Sequence, residues 1–446
     1  MSFLFRLVAL AALFGLLFGF DEGVIAGALP LITKAFGISV AGEGFVTAAV
    51  PLGAIGGAIL AAIWADGLGR RKVLILCSIM FVIGAFGSGL AVDHPMLVVA
   101  RLVLGLAIGA SALAAPMFLA ELAPAKYRGA VVSSFQLMIT VGILVSYLLG
   151  LVLEPLGAWR WMLALGAVPA LAALIGIALA PESPRWLAMN GASDKATEVV
   201  NLLQPDLTKA QAADIVRGIE EAQAVTTERP PWSAFLTDKV KPVLIFTIAA
   251  FLFQQLSGIN AVIYYAPTIM GHAGFDGATT QLAATVGIGI VNVVMTVFAM
   301  FIVDRFGRRP LFIIGFIGTA LSLVVIAYAT QVDKPELAPV GLLGLFAYIA
   351  FFAVSIGPLP WLYMAELFPQ ALRSRGMALA SVANWSCNFA VVFAFPVVVF
   401  HFGAPVTFAM FGIFCAAGAV FSWFLAPETK GISLEEISAD QAAAAT

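Results

Sequence analysis

The stretch ADGLGRR at residues 65–71 has a counterpart in the second half of the chain, VDRFGRR at residues 303–309. Two further motifs recur in the same order: ELAPAKYRG at 121–129 with ELFPQALRSRG at 366–376, and PESPRW at 181–186 with PETKG at 427–431. The matching positions are separated by 238 to 246 residues. Three matched pairs at nearly one offset indicate that the chain contains two copies of one unit.

The composition is too apolar for a protein that covers itself with polar surface in water. Of the 446 residues, 62% are hydrophobic and 11% are charged. About a quarter of the residues in a soluble domain are charged. We therefore predict an integral membrane protein.

A membrane-spanning helix requires roughly 20 apolar residues, and the sequence contains twelve such runs. They lie at 6–31, 43–64, 73–92, 97–119, 130–153, 158–180, 242–270, 279–303, 310–330, 338–364, 376–400 and 404–425. The prediction is an all-α membrane protein in which each copy of the repeated unit is a six-helix bundle.

The domain organisation follows from these runs. We predict an N-terminal six-helix half at 1–183, a cytoplasmic linker with short helices at 184–241, a C-terminal six-helix half at 242–426 and a cytoplasmic tail at 427–446. Two amphipathic stretches of the linker, 194–204 and 212–222, favour helices. A plain solvated linker is an equally good interpretation.

The distribution of Lys and Arg predicts the orientation. With both termini in the cytoplasm, 19 of the 23 basic residues lie on the cytoplasmic side. Only Lys34, Arg160 and Lys334 lie outside, and Arg101 lies within a helix. Because cytoplasmic loops retain Lys and Arg, we expect both termini to be cytoplasmic.

The sequence gives no sign of an enzyme. No nucleophile, metal cluster or phosphate-binding loop accompanies the apolar helices, and no basic patch suggests nucleic acid. We therefore expect no catalytic residue, no cofactor, no metal and no nucleic-acid partner. A six-plus-six repeat instead places a substrate site near the membrane midplane and works by rocking one half against the other, so the architecture favours transport.

The charged motifs at the helix ends predict a cytoplasmic latch of ion pairs that is intact or broken according to the state of the halves. Its predicted members in the first half are Asp66, Arg70, Arg71, Glu121, Arg128, Glu182 and Arg185. In the second half they are Asp304, Arg308, Glu366, Arg373 and Glu428. The alternative is that the arginines only set the topology.

Seven motifs resemble the sugar porters of the major facilitator superfamily. They are GLLFGFD at 15–21, GRR at 69–71, PESPRW, QQLSGINAVIYYAP at 254–267, DRFGRR, GPLPW at 357–361 and PETKG. The resemblance spans nearly the whole chain and implies the major facilitator fold and monosaccharide transport.

Neutral amides near the middle of several helices suit sugar hydroxyls, which both donate and accept hydrogen bonds. Each amide is by itself an equally good interhelical contact. The resemblance implies that the sugar site comprises Gln136, Gln254, Gln255, Asn260, Asn292, Trp361 and Asn384, with Phe18 and Ile139 on its apolar side. It also implies that Tyr264 and Tyr265 form the outer gate.

Three positions depart from better-known members of that family. Ile143 stands where some bacterial xylose porters carry a second Gln, Ala353 where mammalian glucose carriers carry a Glu, and Ile356 where some bacterial members carry a Trp. These departures leave hexoses, pentoses and inositols as alternative substrates of the predicted pocket.

Two adjacent acids, Asp21 and Glu22, are the only charged residues between Arg6 and Lys34. A carboxylate in mid-membrane costs at least about 2.5 kcal/mol and is a functional candidate. Arg101 lies at a similar depth and can pair with Asp21. Proton-linked sugar porters carry an Asp and an Arg at these two positions, so the resemblance implies proton coupling.

Glu22 departs from the family pattern and points to a different wall than Asp21, because one residue turns a helix by about 100°. An accessory proton site, a second proton carrier and a group facing the aqueous cavity are the alternatives for it. Within SIGPLPW at 355–361, the prolines predict either a hinge between Gly357 and Pro360 or a static kink.

The function predicted is a proton-coupled symporter that imports a hexose or pentose by alternating access, acting as a monomer in the lipid bilayer of a cell inner membrane. The alternative is a facilitative sugar uniporter, in which Asp21 and Arg101 form only a structural pair. A sugar sensor that transports little is less favoured, because only a short stretch follows Lys430.

Overall fold

The computed structural model of the protein describes residues 2–123, 128–224, 231–332, 335–369 and 372–430. Within these residues every regular element is a helix. The side chains of Asp66, Arg128 and Asp304, and most of the predicted tail, lie outside the described part.

The membrane-spanning helices are numbered 1 to 12 in chain order. Helices 1 to 6 are Ser2–Phe36, Val40–Leu68, Arg70–Gly89, His94–Leu122, Arg128–Leu153 and the pair Trp159–Ala164 and Ala167–Leu179. The turns between them are short, so consecutive helices run in opposite directions.

The second half repeats this arrangement with more interruptions. Helix 7 comprises Lys241–Leu256, Ile259–Tyr264 and Ala266–His272; helices 8 and 9 are Ala278–Phe306 and Arg308–Val332; helix 10 comprises Ala338–Phe351, the π-helical turn Phe352–Ile356 and Leu359–Leu367. Helices 11 and 12 follow within one long helical segment, Arg373–Leu425.

The described residues contain eleven helical segments apolar enough to cross a membrane, and the last of them, Arg375–Leu425, is 51 residues long. At 1.5 Å per residue it extends about 77 Å, more than twice the hydrocarbon thickness of a bilayer. Gly403, with a φ of 80°, divides it into helices 11 and 12. The predicted all-α fold with twelve spans is confirmed.

The central segment forms three short helices, Pro184–Met189, Ser193–Leu203 and Lys209–Ala224. They pack around a small apolar cluster of their own, with Ala196 and Ala212 at its centre. Of the two interpretations of this segment, the helical one agrees with the structure.

Helix 1 packs against helix 5 through a row of glycines spaced four residues apart. They are Gly15, Gly19, Gly23 and Gly27. A Cβ atom on Gly19 would collide with the Ile139 carbonyl, and one on Gly23 with the Ser146 side chain. Small residues at this spacing let two membrane helices approach closely.

Helices of the two halves pack against each other from the ends opposite to the repeated charged motifs towards the middle of the helices. Gly44, at the start of helix 2, faces the Phe393 carbonyl of helix 11. Gly289 of helix 8 faces helix 5. A Cβ atom added to Gly289 would lie 3.1 Å from the side chains of Leu144 and Tyr147. The two halves are therefore in close contact on the side opposite to the repeated charged motifs.

Candidate functional site

The first component of the site is an ion pair between helices 1 and 4. Arg101 Nη2 lies 3.7 Å from Asp21 Oδ2, and the two side chains are 1% and 8% exposed. Arg101 Nε donates a hydrogen bond to the Val46 carbonyl at 2.9 Å. The depth argument from the sequence placed these groups within reach of each other, and the structure brings them together.

Neither partner of this pair has all its polar atoms satisfied. Asp21 Oδ2 and Arg101 Nη1 are buried and have no hydrogen-bond partner. A buried polar group without a partner is costly. Asp21 Oδ2 can therefore still accept a proton or a hydrogen bond, and Arg101 Nη1 can still donate a hydrogen bond.

Glu22 points away from Asp21, towards the other half of the protein. The Tyr264 hydroxyl of helix 7 donates a hydrogen bond to Glu22 Oε1 at 3.4 Å. Glu22 is 5% exposed and Tyr264 is 2% exposed. The contact joins helix 1 to the outer part of helix 7, where the two halves meet.

The second component is a chain of amides between helices 7 and 11. Asn260 Nδ2 donates to Gln255 Oε1 at 2.7 Å, and Gln255 Nε2 donates to Asn384 Oδ1 at 2.7 Å. All three side chains are buried. Three of the amides predicted from the sequence thus form one connected cluster.

Gln254 behaves differently from its neighbour Gln255. Its Nε2 donates to the carbonyls of Ile356 and Gly357 in helix 10, at 2.7 and 2.9 Å. Trp361, which follows Pro360 in helix 10, packs edge-on against Phe251 of helix 7, with ring centroids 4.9 Å apart. Helix 10 is therefore tied to helix 7 at its proline-rich segment.

The apolar wall of the site comes from helices 1 and 5. Phe18 packs against Trp385, with ring centroids 5.5 Å apart, and Ile139 is buried at the level of Gly19. Gln136 lies on helix 5 and is half-buried, and Asn292 lies buried on helix 8. No hydrogen bond connects the Gln136 or Asn292 side chain to the amide cluster among the contacts of the described residues.

Trp385 and Asn388 were not singled out from the sequence as site residues. Both are 1% exposed, and Trp385 Nε1 and Asn388 Oδ1 have no hydrogen-bond partner. Asn388 lies one turn beyond Asn384, on the same face of helix 11. This i, i+4 spacing of two asparagines was the signal available in the sequence.

The two tyrosines that the sequence predicts as an outer gate, Tyr264 and Tyr265, are both buried. The Tyr265 hydroxyl donates to the Val392 carbonyl at 3.4 Å, and the Tyr147 hydroxyl of helix 5 donates to the Ile263 carbonyl at 2.9 Å. Helix 7 is thus fastened both to its own half and to the opposite one.

At the helix ends that carry the repeated motifs, the two halves contain equivalent charge clusters. Arg70 pairs with Glu121 at 3.1 Å in the first half, and Arg308 pairs with Glu366 at 3.3 Å in the second. Glu182 accepts a hydrogen bond from the Arg71 backbone N–H at 3.0 Å. These pairs join helices of the same half.

Other predicted latch residues contact backbone carbonyls or interact electrostatically with the cluster, as the Arg185 guanidinium does with the Glu121 carboxylate. Arg71 Nε donates to the Ile177 carbonyl at 3.2 Å, and Arg373 Nε to the Phe368 carbonyl at 3.3 Å. Arg185 is exposed. The side chains of Asp66, Arg128 and Asp304 are not described.

Glu428, which follows helix 12, contacts the junction between helices 8 and 9. Its carboxylate accepts hydrogen bonds from the backbone N–H groups of Arg308, at 3.0 Å, and Arg309, at 3.2 Å. Partial burial alone would raise the pKa of this carboxyl group. The hydrogen bonds from Arg308, Lys430 and Arg309 outweigh that effect and hold its pKa below the usual value.

Two repeated six-helix halves that enclose buried amides and a buried ion pair have the architecture of a secondary transporter of the major facilitator class. Residues 7–440 match the family model described as "Sugar (and other) transporter". The chain belongs to this sugar transporter family and is not an enzyme.

Characterised relatives cover almost all of the chain. The D-xylose transporter of Levilactobacillus brevis is 39% identical over 96% of this chain and 93% of that protein. The galactose-proton symporter of Escherichia coli K12 is 36% identical over 96% of this chain and 92% of that protein.

Solved structures of a sugar transporter also match almost the whole chain. The xylose transporter XylE from E. coli, in a partially occluded inward-open conformation, matches 97% of this chain and 100% of its own with a TM-score of 0.85 and 30% identity. The proton:xylose symporter XylE bound to 6-bromo-6-deoxy-D-glucose matches with a TM-score of 0.84 and 31% identity over 99% of each chain.

Proposed function

We propose that this protein is a proton-coupled symporter that imports a monosaccharide, a hexose or a pentose, by alternating access. The observation that carries the proposal is the buried Asp21–Arg101 pair, one helical turn from Phe18, which packs against Trp385 of the amide site. A rigid helix 1 thus carries a proton-binding group and a wall of the sugar site together. The D-xylose transporter and the galactose-proton symporter among the relatives support this choice.

The proton step requires Arg101 to change its distance from Asp21. Next to Arg101 the aspartate is stabilised as a carboxylate. When Arg101 withdraws, an unpaired carboxylate would remain in apolar surroundings at a cost of several kcal/mol, so Asp21 binds a proton instead. One buried acid then takes up a proton in one state and releases it in the other.

The sugar step uses neutral hydrogen-bonding groups. The proposed ligands are the amides of Gln136, Gln254, Gln255, Asn260, Asn292 and Asn384, together with Trp361 and the apolar side chains of Phe18 and Ile139. Amides donate and accept at once, as sugar hydroxyls do. Ile143 and Ile356, both buried, would make part of the surrounding wall apolar.

The outer gate is formed by Tyr264 and Tyr265, and Glu22 closes it from the opposite half. The Glu22–Tyr264 hydrogen bond crosses the boundary between the halves, so it must break when the outer side opens. The cytoplasmic clusters hold the helix ends of each half together while the halves rock. Their rearrangement on cytoplasmic closure is the proposed latch.

We further infer that the protein acts as a monomer in the lipid bilayer of a cell inner membrane, with both termini in the cytoplasm. The excess of Lys and Arg on one side supports this orientation. The cytoplasmic linker helices and the tail then lie on the same side as both charge clusters.

The test is sugar uptake by purified protein in liposomes with simultaneous pH recording. D-xylose, D-galactose and D-glucose are added in turn to vesicles without an imposed gradient. We expect at least one sugar to enter together with protons, so that the external medium becomes more alkaline. Sugar entry without any pH change would instead identify a uniporter, and entry of no monosaccharide would overturn the proposal.

A further inference from the structure

The interrupted parts of helices 7 and 10 lie against each other. In a regular helix, the Ile356 carbonyl would accept a hydrogen bond from the N–H of residue 360, but Pro360 has no N–H. Gln254 Nε2 of helix 7 supplies a donor to this carbonyl at 2.7 Å and to the Gly357 carbonyl at 2.9 Å. A side chain of helix 7 therefore satisfies the carbonyl that Pro360 leaves without its helical partner.

The reverse contact occurs one turn farther along helix 7. This helix is interrupted around Gly258, which has a φ of 86°. The Tyr348 hydroxyl of helix 10 donates to the Ser257 carbonyl beside that break at 3.0 Å. Tyr348 is fully buried. Each broken helix is thus stabilised at its break by a side chain from the other.

Gln254 has no donor to spare in this arrangement. A carboxamide NH₂ group carries two hydrogens, and helix 10 carbonyls accept both. Its neighbour Gln255 binds Asn260 and Asn384 instead and makes no hydrogen bond to helix 10. A sugar hydroxyl that accepts a hydrogen bond from Gln254 must therefore displace a carbonyl of helix 10.

We propose that Gln254 is a positioning residue that couples sugar occupancy to the bend of helix 10, with Tyr348 as its counterpart on helix 7. In the sugar-free state, Gln254 clamps helix 10 at its π-helical turn. A hydroxyl of the bound sugar accepts one of the two Gln254 hydrogen bonds in place of a helix 10 carbonyl. The turn then has one stabilising hydrogen bond fewer, and the cytoplasmic part of helix 10 is free to move. The coupling to sugar rests on the proposed function, whereas the clamp itself does not.

The clamp is tested without sugar by hydrogen exchange of peptides that cover residues 352–361. Gln254→Met keeps the side-chain length and removes both donors. We expect roughly 5- to 30-fold faster exchange in this segment, since one or two hydrogen bonds are lost. The matched control is Gln255→Met, which removes neighbouring amide contacts and leaves exchange in helix 10 unchanged. Equal effects of the two variants, or no effect of Gln254→Met, would overturn the clamp.

Three further variants keep the test decisive. Pro360→Ala restores an N–H for the Ile356 carbonyl, so Gln254→Met should accelerate exchange much less in that background. Tyr348→Phe should accelerate exchange in helix 7 near residues 255–262 although it removes no sugar ligand. Gln254→Asn, whose side chain is one methylene shorter, replaces Gln254→Met if the latter does not fold.

The coupling is tested by adding a sugar that the wild-type protein binds, at concentrations that saturate the wild type and each variant as measured separately by tryptophan fluorescence. We expect the sugar to accelerate exchange at 352–361 in the wild type and in Tyr348→Phe, but not in Gln254→Met. Binding without acceleration in the wild type would overturn the coupling. If no sugar binds the wild type, the proposed function fails, while the sugar-free comparison still decides the clamp.

Discussion

The two halves have the same six-helix plan but differ in how their central helices are built. Helix 1 is continuous over Ser2–Phe36 and packs on helix 5 through four glycines. Helices 7 and 10 occupy the second half and are both interrupted, at Gly258 and at Phe352–Ile356. The buried ion pair lies in the first half, on the continuous helices 1 and 4. The connected amides lie in the second half, where helix 7 is interrupted.

This difference suggests that the two halves have different roles in the transport cycle. Close backbone packing makes the first half suited to move as one body and to carry Asp21 with it. The broken helices of the second half have side-chain hydrogen bonds in place of some backbone ones, so they can bend around a ligand. The halves are connected by Phe18 with Trp385 and by Glu22 with Tyr264.

Removal of the arginine from the buried ion pair should have the largest effect on the first half. Arg101→Gln leaves Asp21 buried without a cation, so we expect a loss of about 3–5 kcal/mol in stability at pH 7. Thermal unfolding in detergent measures it. The double variant Asp21→Asn/Arg101→Gln removes both charges and should recover most of the loss. A double variant no more stable than Arg101→Gln would mean that the pair is not a buried charge pair.

The glycine contact predicts the next largest effect. Gly19→Ala places a methyl group against the Ile139 carbonyl, and overpacking of this kind costs about 1–3 kcal/mol. The control in the other half is Gly412→Ala, where the nearest atom, Leu323 Cβ, is an ordinary 3.6 Å away. A lower melting temperature is expected for Gly19→Ala alone. Equal melting temperatures would remove the contrast in packing between the halves.

The link between the halves predicts a smaller, conformational effect. Tyr264→Phe removes the hydrogen bond to Glu22, which is worth about 1 kcal/mol, so the outward-open population should rise about fivefold. Distances between spin labels at the outer ends of helices 1 and 7 report this population. Tyr363→Phe of helix 10 removes a hydrogen bond within one half, to the Pro427 carbonyl, and serves as the control. The account of the gate is wrong if both variants shift the distances equally.

The smallest effect is expected at the cytoplasmic cluster of the second half. Glu428→Gln weakens the hydrogen bonds to the backbone of Arg308 and Arg309 in a solvent-accessible place, so the loss should be less than about 1 kcal/mol. The pKa of Glu428 lies below its usual value, so its stabilisation is complete above the usual carboxyl range. It disappears as the pH falls through the lowered pKa. The melting temperatures of wild type and variant should therefore converge in acid, and a constant difference would contradict this account.

Much of the fold was predictable from the sequence because membrane crossings depend on length and hydrophobicity alone. The twelve runs and the duplicated motifs were sufficient for the architecture. The Asp21–Arg101 contact was predictable from depth, since Arg101 is the one basic residue that the sequence places inside a predicted membrane span and not at either membrane surface. The glycine row of helix 1 is visible in the sequence as well, at a spacing of four residues in the same stretch as the two acids.

The direction of individual side chains was not predictable. Gln254 and Gln255 are adjacent in sequence, yet one binds the backbone of helix 10 and the other binds Asn384. Which of them meets which neighbour depends on how helices 7, 10 and 11 are rotated against each other. The partner of Glu22 depends in the same way on the packing of the two halves, and so does the burial of Asn388.

The central claim is that Asp21 carries the proton that drives sugar uptake, and accumulation of sugar by Asp21→Asn in proteoliposomes tests it most directly. The account predicts that this variant exchanges sugar in counterflow but does not concentrate it in response to an imposed pH gradient. Glu22→Gln, measured in parallel, should still concentrate sugar. If Asp21→Asn concentrates sugar as the wild type does, the proton is carried elsewhere and the claim is wrong.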